Sequence, residues 1–236
     1  MCLGMFSAIP CPYRPWDEDA RSLMTACLPV LGAVIGALWY LIAVLARAIL
    51  PEMLGASLVA AAPFLLTGFM HLDGFMDSAD ALLSWRPLEQ RQKILKDVHC
   101  GSFAVVAVVL LAIGMFAAAS DTMPGDLRTL VLIPAASRCM SAFCVTALKP
   151  IGHSEYAAMN KNFATPAAAA VMLLIAFVTG GVWIGANAVL SLAAVVFGYA
   201  AAMIWAARTM DGVSGDLAGY SLCVGELCGL AALSIF

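Results

Sequence analysis

Seven blocks of eighteen or more mostly apolar residues, at about 23–45, 53–70, 103–120, 128–148, 166–187, 189–207 and 217–235, run through this chain. A hydrocarbon core about 30 Å thick takes roughly 20 helical residues to cross, so each block is close to the length of a membrane span. Lipid offers no partner for backbone polar groups, and segments of this length satisfy their own only as helices. The expected fold is therefore all-α: a polytopic transmembrane helix bundle of about seven spans, forming a single integral membrane domain over 1–236. Composition agrees, because 63% hydrophobic and 11% charged residues leave too little polarity for a water-soluble surface. The fourth block is the weakest by hydropathy, with Arg138 near its middle.

Residues 1–21 contain Pro10, Pro12 and Pro15 followed by Asp17, Glu18 and Asp19, and no regular helix is expected there. No basic stretch precedes a short apolar one, so no signal peptide is expected and the first block should be retained. If the chain changes side at every block, one set of connecting segments carries Arg14, Arg21, Arg86, Arg91, Lys93, Lys96, Lys149, Lys161 and Arg208, whereas the other carries only Arg47 and Arg128. Basic residues concentrate in short cytoplasmic loops, so the N-terminus is expected in the cytoplasm, with loops near 71–102, 149–165 and 208–217 beside it. The net charge of −3 and the lack of a basic stretch interleaved with aromatics argue against a nucleic-acid partner. Eight cysteines include no C-x-x-C pair and read as small buried packing residues.

Carboxylates gather at the end of the second block. Asp73, Asp77 and Asp80 are spaced i, i+4 and i+7, which on a helix brings them to one narrow face. Such charges repel unless a cation lies between them, and Mg2+ suits the set: it takes one or two carboxylates, keeps waters and completes its shell with phosphate oxygens. A solvated acidic helix end is the plain alternative. A second patch, Asp211-Gly212-Val213-Ser214-Gly215-Asp216, falls on the same side by the topology above, making Asp216 the preferred further ligand. Gly215 and Gly219 would equally serve close helix packing.

Arg138, costly as a lone charge in lipid, should face the bundle interior and pair with a carboxylate or a phosphate. Lys96 and His99, with Lys93, precede Gly101-Ser102 and are candidates for holding an anionic substrate, although Lys93 serves equally as a positive-inside anchor. His71 is a candidate proton acceptor or organiser of the acids, with a helix-end polar contact as the alternative.

The motifs together resemble cobalamin synthase, the adenosylcobinamide-GDP ribazoletransferase family. The resemblance rests on Ile9-Pro10, the H-x-D-G-x-x-D-x-x-D signature from His71 to Asp80, Lys96-Asp97 followed by Gly101, Ser137-Arg138, and Ser214-Gly215-Asp216. It implies a multi-pass enzyme of the prokaryotic cytoplasmic (inner) membrane, its active site facing the cytoplasm. That enzyme joins adenosylcobinamide-GDP to α-ribazole or its 5′-phosphate and releases GMP, with Mg2+ as cofactor. The resemblance further implies that Asp73, Asp77, Asp80 and Asp216 hold metal, and that one of them or His71 takes the attacking hydroxyl's proton. Besides the two substrates and the lipid bilayer, other corrinoid-pathway enzymes and a second copy of the chain are candidate partners. Two other readings compete. An ion-coupled transporter would share the intramembrane charge but lacks support from an inverted repeat. A CDP-alcohol phosphotransferase would carry Ala-Arg where Asp77-Ser78 stands here.

Overall fold

The computed structural model describes residues 1–11, 21–123, 125–151 and 164–236, with the side chains of residues 21 and 22 excepted. These form ten α-helices: α1 (Cys2–Phe6), α2 (Arg21–Ile49), α3 (Glu52–Leu66), α4 (Met70–Leu83), α5 (Leu88–Ile94), α6 (Ser102–Thr122), α7 (Ile133–Ala147), α8 (Ala164–Trp183), α9 (Ala186–Met210) and α10 (Gly215–Ile235). A short 3-10 helix, Leu127–Val131, leads into α7. No strand occurs among the described residues; one isolated bridge joins Pro150 to Val213. Helix α1 lies in the lead where none was expected, ending before the prolines begin.

Six segments are long and apolar enough to cross a membrane, and a seventh arises if α3 and α4 count as one broken span. Their outer faces are apolar: Val105, Val106, Val109, Leu110 and Ile113 of α6 and Val171, Leu174, Ile175 and Val178 of α8 are all exposed. That pattern suits lipid, which solvates such side chains as well as a protein core does. The segment containing α7 is 67% buried, against 22% for α8. Its low hydropathy follows from that position, since a helix walled in by protein need not be apolar all round. Cysteine placement departs in part from expectation: although Cys139, Cys144 and Cys223 are buried, Cys27 and Cys100 are exposed.

Polar contacts tie the connecting segments together at each end of the bundle. At one end Arg47 donates to the Gly125 carbonyl at 2.9 Å and Arg128 to the Trp183 carbonyl at 3.2 Å. At the other, Gln92 donates to the Met210 carbonyl at 2.9 Å and Lys149 pairs with Asp211 at 3.0 Å. Arg14 and Lys161, with most of the 149–165 loop, lie outside the described residues.

The segment 71–102, expected as a loop, instead holds α4, α5 and the start of α6. Helix α3 stops at Leu66 in a Schellman closure: the Phe69 N–H bonds to the Phe64 carbonyl at 2.9 Å, while Gly68 and Phe69 adopt left-handed φ of 61° and 63°. Gly68 takes that conformation without a Cβ penalty. The chain then turns through 89° into α4, which crosses the first turns of α10. Phe75 stacks on Tyr220 across this crossing, with ring centroids 5.2 Å apart.

Candidate active site

The D-G pair in the acidic signature explains how α4 reaches α10. A Cβ on Gly74 would lie 2.9 Å from the Asp216 Cα, and one on Gly219 would lie 3.1 Å from the His71 carbonyl oxygen. Two glycines thus let the backbones touch. Gly219, the small residue expected to pack a helix, does so against the same α4 segment that carries the acids.

This contact sets Asp216, in the first turn of α10, beside the acidic face of α4. Asp77 lies within electrostatic reach of Asp73, Asp216 and Asp80 together. Asp73 is exposed and Asp77 and Asp216 are half-buried, and among the described residues no Lys or Arg pairs with any of the three. No three Asp, Glu, His or Cys side chains among the described residues converge closely enough to form a metal cage by themselves. The donor set still fits Mg2+, which needs only one or two carboxylates beside water and phosphate oxygens.

Asp80 is occupied differently. Its Oδ2 accepts from the Gly101 N–H at 2.6 Å and its Oδ1 from the Ala104 N–H at 2.9 Å, so it caps the N-terminus of α6 from another helix. It is buried, and both oxygens are engaged. A wider groove of about 670 Å3 opens beside it, lined by Trp85, Arg86, Asp97, His99 and Gly101. His99 reaches this groove, exposed and bonded to Asp97 at 2.7 Å. Hydrogen bonding from His99 holds the Asp97 carboxyl below its ordinary range. Lys96 is exposed and does not line it.

Arg138 answers the choice left by the sequence with a carboxylate. Its Nη1 bonds Glu226 Oε1 at 2.5 Å, and Ser137 Oγ donates to the same oxygen at 2.9 Å. The pair is sealed, with Arg138 1% and Glu226 2% exposed. Sequence reasoning missed Glu226 as the partner, although it is the one carboxylate in the interior of the last block, as Arg138 is the one base in the interior of the fourth. His71 lies with Arg138 rather than with Asp73, Asp77 and Asp80. At about 100° per residue it sits roughly 120–180° around α4 from Asp73, Asp77 and Asp80. It lines a cavity of about 120 Å3 with Arg138, Ser141, Gly74 and Asp216.

The structure thus sets Asp73, Asp77 and Asp216 within electrostatic reach of one another, assigns Asp80 to a cap at their edge, and separates His71 and Arg138 from Lys96 and His99. The profile of the cobalamin-5-phosphate synthase family matches residues 1–234.

The chain belongs to that family.

Membership makes it a transferase acting in cobalamin synthesis. A protein of Clostridium perfringens (strain 13 / Type A), named adenosylcobinamide-GDP ribazoletransferase, is 36% identical over 244 residues, covering 100% of this chain and 96% of its own length. One of the same name from Clostridium botulinum (strain Alaska E43 / Type E3) is 32% identical over 242 residues, covering 100% and 96%. A third family member, from Geobacillus kaustophilus, is 28% identical and covers 96% and 90%. No solved structure matches the chain.

Proposed function

We propose that this chain transfers the adenosylcobinamide phosphoryl group from adenosylcobinamide-GDP to α-ribazole or its 5′-phosphate, at the cytoplasmic face of the prokaryotic inner membrane. The observation that carries this reading is the clustering of Asp77 with Asp73 and Asp216 at the glycine crossing of α4 and α10. Names of full-length relatives support the substrate pair. The basic end of the bundle, where these acids lie, supports the cytoplasmic orientation.

Within this reading a ribazole hydroxyl oxygen attacks the phosphorus attached to cobinamide, a new P–O bond forms, the pyrophosphate P–O bond breaks, and GMP departs. Asp73, Asp77 and Asp216 would hold Mg2+. The ion, when bound, screens charge on the phosphoryl oxygens and the departing GMP. The chain itself fixes the two helices that bear the acids, through Gly74 and Gly219, so the carboxylates are positioned before substrate arrives. A carboxylate of this cluster accepts the hydroxyl proton, since His71 is turned to the other side of α4. Asp80 contributes by locking the start of α6 against α4. The transporter reading has no comparable observation, and the family match favours cobalamin synthesis over the CDP-alcohol alternative.

The test is incubation of purified protein in liposomes with adenosylcobinamide-GDP and α-ribazole, with and without Mg2+. Metal-dependent release of GMP with a joined corrinoid is expected; hydrolysis to GMP without joining, or joining unaffected by chelation, would refute the scheme.

A further inference from the structure

The acidic cluster leaves one built feature unused: the cavity of about 120 Å3 on the far side of the α4–α10 crossing. Arg138 lines it at 1% exposure and directs only Nη1 to Glu226, Ser137 and the Pro134 carbonyl. Among the described residues its Nε and Nη2 are buried without a partner, as is His71 Nε2. A guanidinium has donors and no acceptor, so whatever satisfies those nitrogens must present acceptor oxygens. Leaving buried charged donors unmet is costly, and the fork of Nε and Nη2 matches two oxygens of one tetrahedral anion. The space holds roughly four waters at about 30 Å3 each, which is also ample for a phosphate.

Charge around the cavity bears on what can enter. Glu226 neutralises Arg138 formally but occupies a single nitrogen, and Asp216 borders the same space. Asp216 repels an anion at its own edge, which leaves the Arg138–His71 side as the place for one. The same cavity reaches from Arg138 to Asp216, the member of the acidic cluster carried by α10.

We propose that Arg138 and His71 bind a phosphate-monoester group of a substrate or product, in a subsite separate from the transferred phosphoryl group; this rests on the transferase reading above. Two molecules of that reaction carry such a group: the acceptor in its 5′-phosphate form, and GMP. Both are tested by the same substitution. Arg138→Lys keeps a cation for Glu226 but removes the fork.

Wild-type protein and the Arg138→Lys variant are assayed with adenosylcobinamide-GDP and either α-ribazole or α-ribazole 5′-phosphate, and GMP inhibition is measured alongside. An acceptor subsite predicts a wild-type KM at least about tenfold lower for the phosphorylated acceptor, with the ratio falling toward one in the variant. A GMP subsite predicts an unchanged ratio and GMP inhibition weakened about tenfold or more. Loss of kcat alone, with both the ratio and the GMP inhibition constant intact, overturns the proposal and leaves the transfer reaction standing. A wild type that neither distinguishes the acceptors nor responds to GMP also overturns it, whether or not the variant folds. If wild type releases no GMP with either acceptor, the transferase reading falls and this subsite with it.

Discussion

The bundle holds charge in two places and treats them oppositely. Between α7 and α10, Arg138 and Glu226 meet in a sealed, hydrogen-bonded pair of zero net charge. Where α4 crosses α10, Asp73, Asp77 and Asp216 share a neighbourhood with no basic partner among the described residues. The first arrangement makes a charge tolerable inside an apolar helix bundle. The second leaves repulsion uncompensated, which under the proposed function a bound cation would relieve. The difference separates a charge balanced within the protein from charges left unbalanced.

The sharpest way to break this contrast is to neutralise one acid. Asp77→Asn changes volume little and is expected to lower turnover about a hundredfold or more while leaving the thermal midpoint near wild type. Full turnover in folded protein would take Asp77 out of the site. The opposite result is expected at the pair: Arg138→Ala strands Glu226 and should cost about 3–5 kcal/mol of stability. Replacing both partners, Arg138→Met with Glu226→Leu, should recover most of that loss in thermal unfolding.

Gly74→Ala lies between the two cases. Its new Cβ would press on the Asp216 backbone, so the helices must separate, at about 1–3 kcal/mol and with loss of turnover. Retained stability with retained turnover would show that the close approach does not position the acids. Asp80→Ala should cost about 1–2 kcal/mol through the lost α6 cap. If turnover instead falls as far as in Asp77→Asn at unchanged stability, Asp80 belongs with the metal ligands rather than the cap. His99→Ala should do least. It releases Asp97 toward its ordinary carboxyl range, and because a depressed carboxylate adds stability above its unfolded pKa and loses it as pH falls through the folded value, any destabilisation appears only above the acid range. For a pair this exposed the shift in thermal midpoint at neutral pH should be barely measurable.

Hydropathy suffices for the long helices, since each carries its signal within its own residues. The spacing of Asp73, Asp77 and Asp80 likewise announces a shared face. The right-angle turn does not, because the apolar run through residue 70 looks continuous while the break depends on the backbone at Gly68 and Phe69. The length of α4 is harder to read, because its acidic face dilutes the apolar stripe of Phe75, Ala79 and Leu82 that packs inward. Asp80 shows a different limit: a carboxylate capping a helix that starts 22 residues later leaves no local trace. His71 stands two residues from Asp73 in the chain, yet helical rotation places it in another compartment.

The pairing of Arg138 with Glu226 also bears on how the protein comes to be made. The two residues are 88 positions apart, so α7 emerges from the ribosome long before its counter-charge exists. Until the last helix is synthesised, that guanidinium must find water, lipid headgroups or the translocon itself, and Gly74 and Asp73 likewise await Asp216. The C-terminal helix therefore completes both regions, and a nascent chain halted before Asp216 lacks the partner each of them awaits.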